Sequence, residues 1–256
     1  MELSLDDMTA LVGDFFWPFL RISALFAAAP VFSARTVPVR VRIILAVFIT
    51  LLIRPSLPYL ELVEPLSARG LLLILQQLSI GIVMGLILQI VMGALVMAGQ
   101  AIATTMGLGF ASSVDPQNGV QVTMLGQLYL IIGTLYLLAV DGHLLLIDVL
   151  VQSFVYIPVG SPFNALEVFG DIALFASELF VAALLIALPV IVGVLLVNLA
   201  FGVVTRAAPQ LNIFAVGFPV TMLAGFILIL FSLPVLFPTL GSFFTVGFNF
   251  MRTLVN

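Results

Sequence analysis

Met106-Gly-Leu-Gly-Phe-Ala-Ser-Ser-Val-Asp-Pro-Gln-Asn-Gly-Val120 is the one glycine-rich, polar interruption in the middle of an otherwise intensely apolar chain. No charged residue lies between Arg69 and Asp115, so a long apolar helix unlike any water-exposed segment delivers the chain to this stretch. The stretch divides the sequence into two hydrophobic halves. The fold reading follows from that division: helices that face lipid or one another, joined by a loop at an unusual place. Irregular backbone at membrane depth is tolerated only where it is buried in protein or lines a water-filled cavity, which makes this loop a candidate for lying in or across a conduit. The same cluster of Gly, Pro, Asn and Asp also suits an ordinary solvent-facing connector. On the residues alone both readings stand.

Composition places the whole chain in the membrane class. Of its 256 residues 63% are hydrophobic and 8% charged, more apolar content than a soluble core can hide. Mean hydropathy is +1.34. All 8 basic residues are arginines, and together with the 12 acids they sit in short segments between apolar runs, which excludes a nucleic-acid footprint. There is no cysteine, hence no disulfide framework, thiol nucleophile or cysteine metal site. The residues 1–7 are acidic rather than basic, unlike a cleavable signal peptide, so the first apolar helix is expected to be retained.

Upstream of the loop, the first apolar segment covers roughly residues 8–32 and carries Asp14, Trp17, Pro18 and Arg21. Asp14 and Arg21 lie seven apart on nearly one helix face, too far along the axis to pair, so they read as a docking stripe or as interfacial residues. Trp17 fits an aromatic belt at the membrane surface. The connector at residues 29–42 holds Arg35, Arg40 and Arg42 and no acid. Each Arg costs about 2.5–3.5 kcal/mol at a bilayer centre, so this connector is expected to be cytoplasmic and the N-terminus periplasmic if the first segment spans. Residues 43–53 are short for a span and suit a half-span or hairpin arm. Residues 71–97 are continuously apolar, with Gly81, Gly85 and Gly93 at multiples of four and Gln89 between them, the pattern of close helix contact with a hydrogen bond across it. The partner helix is not identified by the pattern.

Downstream, residues 122–140 form another apolar helix, followed by Asp141-Gly-His143. Asp141 reads as the cap of a helix beginning at Gly142, with a proton-carrying Asp141/His143 pair or a subunit contact as alternatives. The segment 156–177 reads as a polar, periplasmic loop without Arg or Lys. Two charge-free runs, 179–205 and 207–251, flank Arg206, and Pro189 should kink the first of them. Arg206, near Gln210 and Asn212, marks a hairpin tip. It is either a positive-inside anchor or a fork of donors for a partner's carboxylate. No H-E-x-x-H, G-x-S-x-G or Walker motif occurs. With one histidine and scattered carboxylates, neither an enzyme nor a bound cofactor or metal is expected.

Five separated motifs in order resemble the type III secretion export-gate family, that of the flagellar biosynthetic protein FliR and its injectisome relatives, over nearly the whole chain. They are Arg21 with Ala29-Pro30 and Arg35-x-x-Pro-x-Arg40-x-Arg42; Met106-Gly107-Leu108-Gly109-Phe110 through Asp115-Pro116; Gly142-His143 with Ser153-Phe154; Pro158-x-Gly160; and Arg206-x-Ala-Pro-Gln210-Leu-Asn212 with Gly217-Phe-Pro219. The resemblance implies an all-α membrane-associated protein of kinked helices and helical hairpins, with roughly six apolar segments, forming part of a helical hetero-oligomer. It implies FliP-like and FliQ-like partners, FlhB-like and FlhA-like export components, unfolded substrates, and a place in the bacterial inner membrane at the flagellar basal body. Residues 1–105 would begin a FliP-like part, 106–120 would form a pore plug including Gly119, 121–178 a helix and periplasmic-side loop, and 179–256 a FliQ-like hairpin. Arg21, Arg35, Arg40, Arg42, Gly81, Gly85, Gln89, His143, Arg206, Gln210 and Asn212 would serve subunit contact or orientation. A secondary transporter, the competing class, predicts an internal repeat and a convergent polar site. No clear repeat is present.

Overall fold

The computed structural model of the chain describes residues 5–34, 37–57, 63, 67–108, 123–207 and 213–255. Among the described residues it is all-helical: α1 Leu5–Ala28, α2 Val39–Ile53, α3 Ala68–Thr105, α4 Met124–Ala139, α5 Gly142–Tyr156, α6 Ala165–Ala207 and α7 Ile213–Val255, with one 3₁₀ turn at Arg54–Ser56. In a chain this apolar the backbone must satisfy its own hydrogen bonds, and only helices do so within a single segment. α3, α6 and α7 are long and apolar enough to cross a membrane, and the pair α4/α5, broken between Ala139 and Gly142, counts as a further span if taken as one. At 1.5 Å per residue, α3 extends about 57 Å against a hydrocarbon thickness of about 30 Å. α2, at about 22 Å, falls short of it. It starts at Val39, four residues before the expected arm, because Pro38 supplies a pre-set φ of −59° immediately before its first turn.

Two compact units are present, and neither is continuous in sequence. The first comprises residues 1–90, 138–175 and 245–256; the second comprises 91–137 and 176–244.

In the first unit α1 and α3 advance together. Trp17 packs on Leu73, Arg21 donates to Gln77, Ala24 lies against Gly81, and Ala28 against Gly85. The helices are therefore parallel, with every third or fourth residue of α1 meeting every fourth residue of α3. Trp17 is 0% exposed, so it is a core residue rather than part of a membrane-surface belt: its neighbours Leu73 and Val159 already provide the apolar surroundings the ring requires. Asp14 pairs with Arg54 in the 3₁₀ turn after α2. Phe175 and Phe250 stack at 4.3 Å, joining the start of α6 to the end of α7.

The polar segment 156–177 is not a loop throughout. Beyond Pro158–Ser161 it becomes helical at Ala165, and Glu167 and Asp171 belong to α6. Asn164 accepts the Val168 amide on its carbonyl oxygen and pairs its side chain with Glu167, so a helix start occupies what polarity alone reads as connector. Asp141 also departs from expectation. It stands before α5 but makes no side-chain cap, and its φ of 55° is left-handed. Its carbonyl accepts Leu144 and Leu145 N–H while its own N–H returns to Leu138, so the backbone of one residue both ends α4 and starts α5.

In the second unit α6 and α7 are antiparallel: Thr221 donates to Asn198 at 2.8 Å, and Leu228 covers Gly193. Tyr136 of α4 stacks between Phe237 and Phe244 of α7. Only 33% and 22% of the most apolar windows of α6 and α7 are buried in the chain, against 61% for α3. Their outward leucines and phenylalanines are covered by lipid or by other protein.

Candidate functional site

The central loop is reached through a built stem. Seven residues before Met106, Gly99 of α3 crosses Gly126 of α4: a Cβ on Gly99 would stand 2.6 Å from the Leu125 carbonyl oxygen and 2.7 Å from the Gly126 Cα. Only a glycine lets the two backbones come this close. Both ends of the excursion are thereby held side by side.

α3 then stops in a defined way. Gly107 adopts φ 81°, its N–H bonds to the Thr104 carbonyl at 3.1 Å, and the Leu108 N–H reaches back to the Ala103 carbonyl at 2.9 Å. These two bonds around a left-handed glycine are the Schellman termination, which satisfies carbonyls that the last helical turn leaves open. Gly107 takes a specific conformation that other residues resist. Met106 is 0% exposed and lies against Gly225 of α7, while Phe218 of α7 covers Gly107. No charged residue occurs from Gly70 to Leu108 or from Thr123 to Val140, so the stem carries no charge.

Of the remaining loop residues, Gly109, Phe110, Asp115, Pro116 and Gly119 lie outside the described residues, as do Arg35, Gln210 and Asn212. Arg40 is exposed on the first turn of α2. Arg42 donates to the Ser33 and Ala34 carbonyls at 3.0 and 2.8 Å and so closes the α1–α2 connector. Gln89 is exposed, and Arg206 is exposed in the last turn of α6, where its charge suits the negative helix end. His143 is half-buried, with Nδ1 buried and without a hydrogen-bond partner among the described residues. Gly81 and Gly85 make their close approach to α1 of the same chain.

Arg21 is 0% exposed. Its Nε donates to Gln77 Oε1 at 2.8 Å, one terminal nitrogen to the Ser153 carbonyl and hydroxyl at 2.8 and 2.9 Å, and the other to the Ile157 carbonyl at 2.9 Å. The Phe154 ring lies 4.0 Å from the guanidinium carbon. Four neutral acceptors and a ring face thus compensate the desolvation of one charge, at separations of 56 to 136 residues. Among the described residues, no group of three His, Cys, Asp or Glu could hold a metal ion.

Gly99, Gly126 and Gly225 escape a reading by motif. Each works by what lies opposite it, and the only sequence signal is a glycine inside an apolar helix, which costs about 1 kcal/mol relative to alanine and so asks for a packing reason.

Comparison with known proteins gives two findings. The family model described as Bacterial export proteins, family 1, matches residues 12–246. The chain is also similar to the flagellar biosynthetic protein FliR of several bacteria. It is 38% identical to that of Pectobacterium carotovorum subsp. carotovorum over 97% of this chain and 95% of the relative. Against Escherichia coli (strain K12) it is 38% identical over 100% and 98%. Against Bacillus subtilis (strain 168) it is 34% identical over 93% and 92%.

Proposed function

The chain belongs to the family of bacterial export proteins, family 1, and is a membrane-associated component of flagellar export; from that premise we propose that it assembles with FliP-like and FliQ-like subunits into the portal through which unfolded flagellar proteins leave the cytoplasm. In this reading the complex lies in the inner membrane at the flagellar basal body, served by FlhB-like and FlhA-like components. Residues 106–120 seal the portal when no substrate is present. The observation that carries the reading is the stem: two helix segments without a charged residue, clamped at Gly99 and Gly126, present the chain's one central polar loop. Leu108, with Phe110, brings apolar bulk to exclude water at a narrow point. The outward apolar faces of α2, α6 and α7 support burial against neighbouring subunits.

Replacing residues 109–119 with a Gly/Ser linker of equal length, while keeping the Gly107 termination, tests the seal. Co-purified with its FliP-like and FliQ-like partners, the variant should assemble and yet leak ions across the membrane, slowing growth on expression. An assembled complex as tight as wild type, with normal export, would rule the seal out.

Arg206 tests the assembly reading. Arg206→Glu reverses the exposed charge at the α6 terminus and should weaken co-purification by about tenfold or more if Arg206 anchors an interface. Arg206→Lys should be nearly as harmful if a planar fork grips a carboxylate, and mild if charge alone matters. Wild-type co-purification and export from Arg206→Glu would show that the residue is dispensable for docking.

A further inference from the structure

We propose that Met106 and Gly225 form a latch that fixes the N-terminal stem of the loop on α7, with Phe218 as its cover, so that the seal is released when α7 moves relative to the end of α3. The proposal rests on the seal reading above and adds the residues that hold the seal shut.

The geometry has three parts. A Cβ placed on Gly225 would stand 2.5, 2.6 and 2.7 Å from Cε, Sδ and Cγ of Met106, so most of the methionine side chain occupies the notch left by the missing side chain. Real Cβ atoms do not approach so closely, and Met106 is 0% exposed, which leaves it little room to retreat. Two turns earlier on α7, Phe218 lies over Gly107, 2.9 Å from the position a Cβ would take there. A bulky residue in the notch and a ring over the helix end thus grip the two residues at which α3 terminates. An unbranched, polarizable thioether suits such a seat, because it fills an irregular gap closely and can leave without breaking a hydrogen bond.

α7 is also the element suited to carry a signal. Pro219 removes an amide hydrogen from its early turns, which makes the segment bearing Phe218 easier to bend. On its other faces Leu223, Ile227, Leu230 and Phe231 are exposed, so whatever covers α7 from outside pushes on the helix whose inner face seats Met106. Coupling then needs only a small shift of a packed helix, since close packing makes a seat either occupied or lost.

The test uses the complete co-expressed complex and reads assembly and ion leak together. Gly225→Val should assemble and leak several-fold more than wild type, because the added methyl groups displace Met106. Adding Met106→Ala to it should lower the leak towards wild type, since the vacated volume accepts the methyls; this rescue is the signature a merely structural glycine would lack. Gly225→Ala, with one methyl, should leak less than Gly225→Val. An assembled Gly225→Val complex as tight as wild type, or a leak that Met106→Ala only increases, would overturn the latch.

A second measurement does not depend on tolerating bulk. The chain has no cysteine, so Met106→Cys with Gly225→Cys introduces the only two thiols in it. Joining them with a short reducible linker should stop export, and reduction should restore it. Full export from the joined form would overturn the proposal. A loop replacement that leaks while Gly225→Val stays tight counts against the latch alone. A loop replacement that stays tight counts against the seal and the latch together.

Discussion

Arg21→Leu is expected to lower accumulation of the chain in membranes severely and to make what remains sensitive to protease, even when the partner subunits are co-expressed. The substitution keeps an apolar stem and removes the donors of Gln77 Oε1, Ser153 and the Ile157 carbonyl. The Ser153 carbonyl retains the Ile157 N–H, and its hydroxyl still donates to Leu150, so the harm concentrates on Gln77 and Ile157 and on the loss of three-way attachment between α1, α3 and the end of α5. Buried acceptors left without a donor cost about 1–3 kcal/mol each, which makes the total about 3 kcal/mol or more, a large part of the 5–15 kcal/mol that holds a typical domain. Arg21→Lys should recover little, because one ammonium cannot reach acceptors spread along a planar fork. The measurement is steady-state level by immunoblot together with thermal aggregation of the purified complex. If Arg21 serves a neighbouring subunit instead, Arg21→Leu should leave the stability of the chain itself unchanged and reduce only co-purification. That outcome would displace the internal account.

Gly81→Ala and Gly85→Ala should be nearly as damaging, although each adds one methyl group. At Gly81 the new Cβ falls onto the Arg21 carbonyl oxygen and stands 2.9 Å from the Leu25 nitrogen; at Gly85 it stands 2.8 Å from the Ala29 nitrogen. These are backbone atoms, which cannot rotate aside, so α1 and α3 must separate and lose the Trp17, Arg21 and Gln77 contacts that depend on their distance. Overpacking of this kind costs about 1–3 kcal/mol per site, and a valine at either position should exceed that range. Gly170 and Gly202 in α6 supply the control, because nothing lies within 4 Å of a Cβ at either. Alanine there should be neutral or gain up to about 1 kcal/mol from helix propensity. Melting temperatures of the four purified variants check the ranking. Equal tolerance at all four positions would mean that α1 and α3 do not need their close approach.

The amino-acid sequence by itself determined the class of the fold and much of its punctuation. A chain that is 63% hydrophobic with charges confined to short segments has to be helical in a membrane setting, since only helices satisfy their backbone segment by segment. Arg54-Pro55 marks the end of α2 in the sequence, because a fixed φ angle acts locally. The resemblance to the FliR family was likewise written in short motifs, and the comparisons place the chain in that family. Local reading erred where two local rules competed. Polarity suggested a loop up to residue 177, while Asn164 and Glu167 were starting a helix; Asp141 had a capping residue type, but a left-handed backbone was needed there.

Partner assignment was decided only by the tertiary structure. Gly81 and Gly85 announce close contact without naming the surface that approaches, and that surface belongs to α1. The acceptors of Arg21 lie 56 to 136 residues away, and each compact unit gathers segments from distant parts of the chain. In a water-soluble protein hydropathy would separate the inner faces from the outer ones. Here lipid and protein interior are equally apolar, so a leucine facing Gly193 from Leu228 and one facing outward at Leu230 read alike in sequence. Shape decides between them, through the notches that glycines leave and the side chains that fill them, and shape exists only once the helices have packed.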